Sequence, residues 1–396
     1  MTTRKRRYPF VARRLEWGKQ QAVKVTGMDS TAHDDPGIAT NDLVLGWDLG
    51  GVHVKVAGVA QGRLQAVTQE PYQIRQGLKV LDEAFAALPA WARQARHHAV
   101  TMTGELSALF DDRAAGVTAL TDWATRHCQG EIVIYGGRAG FLPPHRAAAH
   151  AVDVASANWH ATAAFVASRL PNALLIDIGS TTSDLIPIED GKITGIGYTD
   201  AERLASGELV YAGVVRTPLM SLAERLPFQG QDVTLVAEHF ATIADVHRLL
   251  GTLPEEADQH DTADGRDKSL ASTRTRLARV VGQDAGEAAD HVWNELAAHF
   301  AELQLRRLHD AAARILSRRK GAARPPLVGC GVGRFVVQAL AARMGLAYHD
   351  LADLVPSTEG AKSYWVSSCA PAVSLALLAA DQTVIPFPRH DVARRG

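Results

Sequence analysis

Two short segments carry acidic, glycine and hydroxyl residues in a pattern suited to phosphate chemistry. The first, Asp48-Leu-Gly-Gly-Val-His-Val-Lys55, places a carboxylate at the end of an apolar run, beside a glycine turn. Glycine has no Cβ, so a phosphate can approach the backbone amides of such a turn closely. The second, Asp177-Ile-Gly-Ser-Thr-Thr-Ser-Asp184, adds four hydroxyl groups and a second carboxylate. Together the two segments predict a site for a phosphorylated ligand.

Each side chain in these turns has a predicted role. The phosphate-binding groups are backbone amides, hydroxyls and one ammonium, from Gly50, Gly51, Lys55, Gly179, Ser180, Thr181 and Thr182. Hydrated Mg²⁺ keeps several waters and takes few protein carboxylates, so Asp48, Asp177 and Asp184 are predicted metal ligands. The alternative for either turn is a plain β-hairpin whose Asp and Thr side chains cap backbone groups.

The two segments are related by a constant spacing. Three positions recur 129 residues later without a gap: Asp48 as Asp177, Gly50 as Gly179, and Gly62 as Gly191. Strand-like sequence flanks each of them, so we predict that one hairpin unit occurs twice. Duplicated hairpins should face each other across one cleft, which favours a shared ligand site over two unrelated turns.

A third glycine-rich turn, Gly329-Cys-Gly-Val-Gly333, follows an apolar run and precedes an amphipathic helix that begins at Arg334. Alternate glycines after a strand occur in nucleotide sites, so Gly329, Gly331 and Gly333 are predicted to bind phosphate. Arg334 departs from the full G-x-G-x-x-G pattern, and close packing of the helix on the strand would explain the same glycines.

Hydrophobic periodicity places these turns in an alternating α/β chain. The predicted strands cover residues 43–49, 53–60, 131–135, 173–178 and 185–188, and a further strand begins at 327. The predicted helices cover residues 78–97, 115–127, 156–169, 201–212, 235–250, 274–281, 286–319, 334–343 and 372–380.

The same patterns predict two domains behind an N-terminal tail. The tail covers residues 1–42, the first domain 43–171, and the second 172–396 with a helical insertion at about 200–320. Basic residues dominate the tail, so we interpret it as a flexible, solvated segment, with a nucleic-acid or targeting arm as the alternative. Deleting residues 1–27 should therefore leave fold and activity nearly intact. The acidic stretch 255–267 reads as an exposed loop, either merely solvated or forming a lid or metal contact over the cleft.

The composition excludes several classes of protein. The 396 residues include 42 Lys and Arg against 43 Asp and Glu, a formal charge of −1 that calls for neither nucleic acid nor an anionic membrane as partner. The three cysteines lack the spacing of a zinc site or a disulfide framework, which indicates a reducing, cytoplasmic compartment. No apolar stretch approaches the roughly 20 residues needed to span a bilayer. His97-His98 is interpreted as surface rather than as a metal site.

The order of these motifs resembles that of the sugar kinase, actin and Hsp70 superfamily, and the Asp177 segment is most similar to the hydantoinase A/oxoprolinase branch. Other segments resemble a small family encoded with tetrahydromethanopterin-linked C1 transfer. They are Leu209-Val-Tyr-Ala-Gly-Val-Val-Arg-Thr-Pro218, Thr262-Ala-Asp-Gly-Arg266, Thr101-Met-Thr-Gly-Glu105, Ala157-Asn-Trp159, Ala237-Glu-His-Phe-Ala-Thr242 and Arg276-Leu-Ala-Arg279. The resemblance covers residues 43–385 and implies a duplicated ribonuclease H-like fold with a central cleft.

The resemblance also implies a transferase of methylofuran or methanofuran synthesis. Such an enzyme joins an aminomethyl-furanmethyl diphosphate to the phenol oxygen of a glutamyl-tyramine and releases diphosphate. Mg²⁺ and backbone amides would stabilise the leaving group, and a base would take the phenol proton. We predict Asp48, Asp177 and Glu105 as catalytic residues, with Glu105 and Asp177 as candidates for the base. Arg216 is a predicted phosphate ligand, and a glutamyl carboxylate or a structural ion pair are its alternatives.

A different activity on the same fold is the main alternative. An ATP-dependent hydantoinase/oxoprolinase-type amidohydrolase, or a small-molecule kinase, would consume ATP. An actin-like filament or a sugar-responsive regulator finds no support in the sequence, since no helix-turn-helix pattern stands outside the two halves. The expected partners are small-molecule substrates, without nucleic acid or membrane, and a homo-oligomer is compatible with them.

Overall fold

The computed structural model describes residues 40–319, 321, 324–358 and 364–381. Residues 1–39, which contain nearly all of the predicted basic tail, lie outside the described residues, and the expected effect of deleting residues 1–27 stays a prediction. The described chain begins with a short 3-10 helix, Thr40–Asp42, that leads into the first strand.

The first half of the chain folds into one six-stranded sheet. Its strands are β1 (Val44–Leu49), β2 (His53–Ala60), β3 (Arg63–Pro71), β4 (His97–Met102), β5 (Glu131–Tyr135) and β6 (Phe141–Leu142). They lie in the order β3-β2-β1-β4-β5-β6. Strands β1 to β3 are antiparallel neighbours, while β4 and β5 run parallel to β1.

The second half repeats this arrangement. Its strands are β7 (Ala173–Ile178), β8 (Ser183–Glu189), β9 (Lys192–Ile193), β10 (Leu209–Val210), β11 (Arg225–Phe228), β12 (Gln231–Thr234), β13 (Leu327–Cys330) and β14 (Tyr348–Asp350). The main sheet has the order β10-β8-β7-β13-β14, with β9 also paired to β8, and β11 and β12 form a separate ribbon. As in the first sheet, an antiparallel unit is followed by two parallel strands.

The register of the two hairpins confirms the duplication. Asp48 lies opposite Lys55 in the β1–β2 pair, and Asp177 lies opposite Asp184 in the β7–β8 pair. The two pairs are therefore related residue by residue at the predicted spacing. This register, together with the shared strand order, confirms the predicted duplicated ribonuclease H-like fold.

Thirteen helices cover the sheets and build the insertion within the described residues. They are α1 (Lys79–Ala87), α2 (Ala90–Gln94), α3 (Arg113–His127), α4 (Pro144–Ala147), α5 (Ala151–Val154), α6 (Asn158–Arg169), α7 (Asp200–Ser206), α8 (Ile243–Leu249), α9 (Leu270–Val280), α10 (Asp290–Leu316), α11 (Arg334–Met344), α12 (Trp365–Ser368) and α13 (Ala370–Ala380). None of these helices combines the length and the apolar character needed to cross a bilayer.

The segment between β10 and β13 has a core of its own. Helices α8, α9 and α10 pack with the β11–β12 ribbon around a buried cluster in which Phe228 stacks on Trp293, with ring centroids 5.7 Å apart. The predicted insertion at about 200–320 thus contains a compact helical subdomain, which forms one wall of the site described below.

Helix α13 connects the cores of the two halves. It lies so close to β1 that a Cβ at Gly46 would stand 2.1 Å from the carbonyl oxygen of Ala372. One buried cluster accordingly contains Ala57, Ala173 and Ala372, which come from both predicted domains. The core is continuous across residues 171 and 172, and the domain boundary there stays a prediction.

Four local predictions differ from the structure. The helix predicted over 235–250 begins only at Ile243, after the N-cap residue Thr242. The predicted helix over 78–97 is two helices separated at Pro89, which has no amide hydrogen to continue a helix, and β4 begins at His97. The helix predicted over 201–212 ends at Ser206, because Gly207 adopts a left-handed φ of 81°. The surface interpretation of His98 is wrong: its ring is fully buried, and Trp47 Nε1 donates to His98 Nδ1 at 3.1 Å.

Candidate active site

The first carboxylate, Asp48, lies at the end of β1 and is almost fully buried. Its Oδ2 is 3.5 Å from the ammonium nitrogen of Lys55 on the neighbouring strand. Its Oδ1 is buried and has no hydrogen-bond partner among the described residues. Burial raises the pKa of Asp48, and the positive charge of Lys55 opposes that rise. The site therefore contains a buried carboxylate oxygen without a donor.

The second carboxylate, Asp177, lies near the first. Burial, and then the charge of Asp184, raises the pKa of Asp177 to about 7, while Lys55 lowers it and Asp48 adds to the rise. Burial acts to lower the pKa of Lys55, but the charges of Asp48 and Asp177 leave it raised overall. The Lys55 ammonium is therefore close enough to both acids to interact with each. The structure brings these three predicted site residues together.

Asp184 is engaged elsewhere. Arg203 donates to its Oδ1 at 2.8 Å, and the same guanidinium stacks over the ring of Trp159 at 4.2 Å. Arg203 is fully buried, so this ion pair belongs to the packing beneath β8. The predicted metal role of Asp184 stays a prediction, and a metal there would compete with a buried arginine.

The residues present fit a metal held mainly by water and substrate. Across the described residues, no group of three or more His, Cys, Asp or Glu side chains is arranged to hold an ion. Mg²⁺ in phosphate sites commonly uses one or two carboxylates, with the remaining ligands from water and phosphate oxygens. Asp48, with its unpartnered Oδ1, and Asp177 beside it are the residues that could hold such an ion.

The two glycine turns present their amides in the same way. The amides of Gly50 and Gly179 close the hairpins by donating across the turn, at 3.0 and 2.9 Å. No described residue supplies a carbonyl that accepts from the amide of Gly51 or of Ser180, so these N–H groups are available to a ligand. The hydroxyls of Ser180 and Thr181 lie beside each other, 3.5 Å apart, in the second turn.

The third glycine turn packs against Asp177 instead of presenting free amides. Gly333 donates to the carbonyl of Ile178 at 2.8 Å, and Gly331 donates to that of Ser367, also at 2.8 Å. A Cβ at Gly331 would lie 2.4 Å from Asp177 Oδ1. These glycines therefore let the turn after β13 pack closely against the end of β7, whereas the alternative from the sequence was packing of the helix on the strand. Their phosphate-binding role stays a prediction.

The same approach shapes the rest of that turn. A Cβ at Gly329 would lie 2.7 Å from the ring of Tyr348, so this position too is closely packed. The thiol of Cys330 lies close enough to Asp177 to lower the pKa of that carboxyl.

Glu105 is a buried carboxyl with one free oxygen. Only 1% of the residue is exposed, and Ser156 Oγ donates to Oε1 at 3.1 Å. Oε2 has no hydrogen-bond partner among the described residues. Burial raises the pKa of Glu105 to about 7, an effect to which the nearby charge of Asp200 adds. A carboxylate of this kind can accept a proton near neutral pH.

A cavity of about 770 Å³ lies next to these groups, between the two halves. From the first half, residues 51–52, 73–75, 103 and 106–108 form its wall. From the second half, its wall includes residues 215–216, 218, 239, 242, 244–245 and 248, and residues 258 and 260–263 of the acidic loop. Part of the acidic loop thus lines the cleft, as its lid interpretation proposed.

The acidic loop contacts the first half directly. Gln259 Oε1 lies 2.9 Å from His53 Nε2 and accepts from Gln69 Nε2 at 3.0 Å. The rings of His53 and His260 meet edge to face at 5.3 Å. The loop therefore bridges from the insertion to the β2–β3 hairpin.

A buried ionic network anchors that loop to the insertion. Arg276 is fully buried and donates to Asp245 at 2.9 Å and to Asp264 at 3.1 Å. Arg248 donates to Asp245 at 2.8 Å and also binds Asp258. In the sequence, the Thr262–Arg266 and Arg276–Arg279 segments carry only the resemblance to the family. Their physical role in the structure is to hold the loop in place.

Arg216 lies on the cavity wall and makes no ion pair with any described residue, which disfavours its structural alternative. Sequence reasoning missed a second arginine, Arg75, which also lines the cavity. Its neighbours Gln73 and Gln76 give it no recognisable motif, so only the fold reveals its position.

Comparison with known proteins places the chain in a family. A sequence model described as hydantoinase/oxoprolinase matches residues 96–370. A curated relative from Methanocaldococcus jannaschii, "(4-{4-[2-(gamma-L-glutamylamino)ethyl]phenoxymethyl}furan-2-yl)methanamine synthase", is 32% identical over 243 residues, 61% of this chain and 72% of the relative. A protein of the same name from Methanococcus vannielii is 36% identical over 126 residues, 32% of this chain and 56% of that protein. Among solved structures, a ROK family glucokinase from Streptomyces griseus is 13% identical with a TM-score of 0.42, covering 85% of this chain and 98% of that one.

Proposed function

Because this chain belongs to the hydantoinase/oxoprolinase family, we propose that it is a transferase of methanofuran-type cofactor synthesis that releases diphosphate. The reaction joins an aminomethyl-furanmethyl diphosphate to the phenol oxygen of γ-glutamyltyramine, giving the ether that the relatives' name describes. The observation that carries the proposal is the pair of equivalent Asp-Gly turns, whose acids Asp48 and Asp177 both interact with Lys55.

The turns suit a diphosphate leaving group. When the bond between the furanmethyl carbon and the diphosphate oxygen breaks, the electron pair leaves with the diphosphate, and negative charge grows on its oxygens. The amides of Gly51 and Ser180, which have no acceptor among the described residues, and the ammonium of Lys55 would stabilise that charge. Mg²⁺ held by Asp48 and Asp177 would supply further stabilisation of the leaving group.

A base is needed on the acceptor side. The phenol oxygen forms the new bond to the furanmethyl carbon and loses its proton. Glu105, with a pKa near 7 and an unpartnered Oε2, suits this role better than Asp177, which lies beside Lys55 and the Cys330 thiol. Thr103, Leu106 and Ser107 of the same segment line the cavity, so the acceptor would bind next to Glu105.

The decisive experiment identifies the phosphorus product. Purified protein is incubated with Mg²⁺, the furanmethyl diphosphate and γ-glutamyltyramine, and in parallel with ATP. We expect inorganic diphosphate and the ether to form in equal amounts without ATP. Orthophosphate or ADP as the stoichiometric product, without diphosphate, would assign the protein to the ATP-dependent amidohydrolases or kinases.

A matched pair of variants links the activity to the site. Asp177→Asn should lower kcat about 100-fold or more, since it removes charge directed at the metal and at Lys55. Asp190→Asn, at the exposed far turn of the same hairpin unit, should leave kcat unchanged. Equal effects of the two substitutions would show that the turn at Asp177 is not part of the reaction.

A further inference from the structure

The duplication extends beyond the hairpins to the segments that hold them. In the first half, the amide of Ile74 donates to the carbonyl of Gly51 at 3.1 Å. In the second half, the amide of Val215 donates to the carbonyl of Ser180 at 3.0 Å. Gly51 and Ser180 are equivalent turn positions, so Ile74 and Val215 are equivalent as well.

A second pair of hydrogen bonds shows the same relation. The amide of Tyr72 donates to the carbonyl of Val52 at 2.9 Å, and the amide of Gly213 donates to that of Thr181 at 3.0 Å. Two bonds at matching positions define one register between the segments that begin at Tyr72 and Gly213. These bonds occupy carbonyls of the turns, while the amides of Gly51 and Ser180 have no acceptor among the described residues.

That register makes Arg75 and Arg216 equivalent residues, each one position after the amide that anchors its segment. Both line the cavity, one from each half of the molecule. The only polar partner that the described residues offer Arg75 is the side chain of Gln73, at 2.8 and 3.0 Å. The amide of Arg216 donates to the carbonyl of Ser180 at 2.8 Å, but its guanidinium has neither a hydrogen bond nor an ion pair with the described residues.

The third arginine that lines the cavity, Arg248, has its charge balanced by carboxylates. Arg248 is bound by Asp245 and Asp258, so its charge is neutralised within the insertion. Arg75 and Arg216 have no such carboxylates, although acidic residues are common in the adjoining loop. Two exposed guanidinium groups without a carboxylate partner are available to an anionic ligand in this cavity, and their planar donor forks match phosphate oxygens.

We propose that Arg75 and Arg216 form a two-armed clamp in which each arginine binds one phosphoryl group of the substrate's diphosphate. The identity of that substrate rests on the proposed function above. A diphosphate carries two similar phosphoryl groups, which suits two equivalent arginines placed beside the two phosphate turns. A carboxylate of the acceptor offers a single charged group, and one arginine would satisfy it.

The test is direct binding of inorganic diphosphate, measured by titration calorimetry with Mg²⁺ present. Arg75→Gln and Arg216→Gln should each weaken the affinity about 10- to 100-fold, the usual effect of losing charge-assisted hydrogen bonds. The preference of the wild-type protein for diphosphate over orthophosphate should shrink in both variants, because orthophosphate can engage only one arm. Arg306→Gln, an exposed arginine on α10 outside the cavity, removes the same charge and should change nothing.

Three results would overturn the clamp. The wild-type protein could fail to bind diphosphate at millimolar concentration. Arg306→Gln could weaken binding as much as the cavity variants, which would indicate a net-charge effect. Either cavity variant could keep the wild-type affinity for diphosphate while losing that for γ-glutamyltyramine, which would assign that arginine to the acceptor's carboxylate.

This experiment is separable from the test of the reaction. Binding of inorganic diphosphate requires no turnover, so the clamp stands if both arginines govern that affinity even when no ether is formed. Conversely, ether formation with unchanged diphosphate affinity in both variants would support the transferase activity and refute the arginine clamp. Thermal unfolding of each variant, expected to match the wild type because both side chains are exposed, confirms that folding is intact.

Discussion

Replacing Glu105 with glutamine tests the proposed base and its environment together. The carboxyl is buried, and its pKa is raised from 4.5 to about 7. If Glu105 takes the phenol proton, kcat/KM should rise with pH through about 7 and level off above it. Glu105→Gln should abolish this rise and lower kcat by about 10²- to 10⁴-fold, the usual contribution of a positioned base.

The same substitution has a predictable effect on stability. Below pH 4.5 the carboxyl is protonated in both the folded and the unfolded chain, so its burial carries no penalty from ionisation. As the pH rises to about 7, Glu105 ionises first in the unfolded chain. This lowers the free energy of unfolding by up to about 3 kcal/mol. Glu105→Gln should therefore be more stable than the wild type at pH 8 by up to that amount, and similar to it at pH 4.

Ser156→Ala should change the pKa of Glu105 without removing the carboxyl. Ser156 Oγ donates to Glu105 Oε1 at 3.1 Å and lowers the pKa of the carboxyl. Removing this donor should move the acidic limb of the pH–rate profile about one pH unit higher. Glu83→Gln, on the exposed side of α1, should leave both profiles unchanged. A rise through pH 7 that persists in Glu105→Gln would refute the assignment and direct attention to Asp177, whose pKa is also about 7.

Three further predictions concern the metal, the glycine turn and the loop. Asp48→Asn should lower kcat about 100-fold and weaken the Mg²⁺ dependence of diphosphate release, without lowering the melting temperature comparably; an unchanged Mg²⁺ titration would contradict this. Gly331→Ala should cost at least about 2 kcal/mol in chemical denaturation, because φ is 78° and the new Cβ would lie 2.3 Å from the Ile178 carbonyl oxygen. Arg276→Met should cost about 3–5 kcal/mol by removing the fully buried one of the two arginines that bind Asp245, and should expose residues 255–267 to proteolysis; a loop as resistant as in the wild type would contradict the anchoring role.

Much of the fold follows from local sequence. The apolar runs of β1, β7 and β8 and the alternating apolar residues of β2, with glycine at the turns, are short-range patterns that identify the hairpins. The repeat spacing also predicted the register, in which Asp48 and Asp177 occupy equivalent places. The hairpin patterns depend on residues within a few positions of one another, and the repeat depends on one constant spacing, so one sequence is enough to predict both.

Tertiary contacts decided the rest. His97 and His98 look like a polar surface pair, yet they begin a central strand because Trp47, fifty-one residues away, binds the ring of His98 in the core. Asp184 is a predicted metal ligand, and only the fold shows that Arg203 binds its carboxylate.

The site itself shows the same division. Carboxylates and glycines at the strand ends are visible in the sequence because their roles require particular residue types at adjacent positions. Arg75 is invisible there, since its role depends only on where the segment after β3 crosses the first turn and on what faces it from the second half. Such placement comes from hydrogen bonds between distant parts of the chain, and a local pattern carries no record of them.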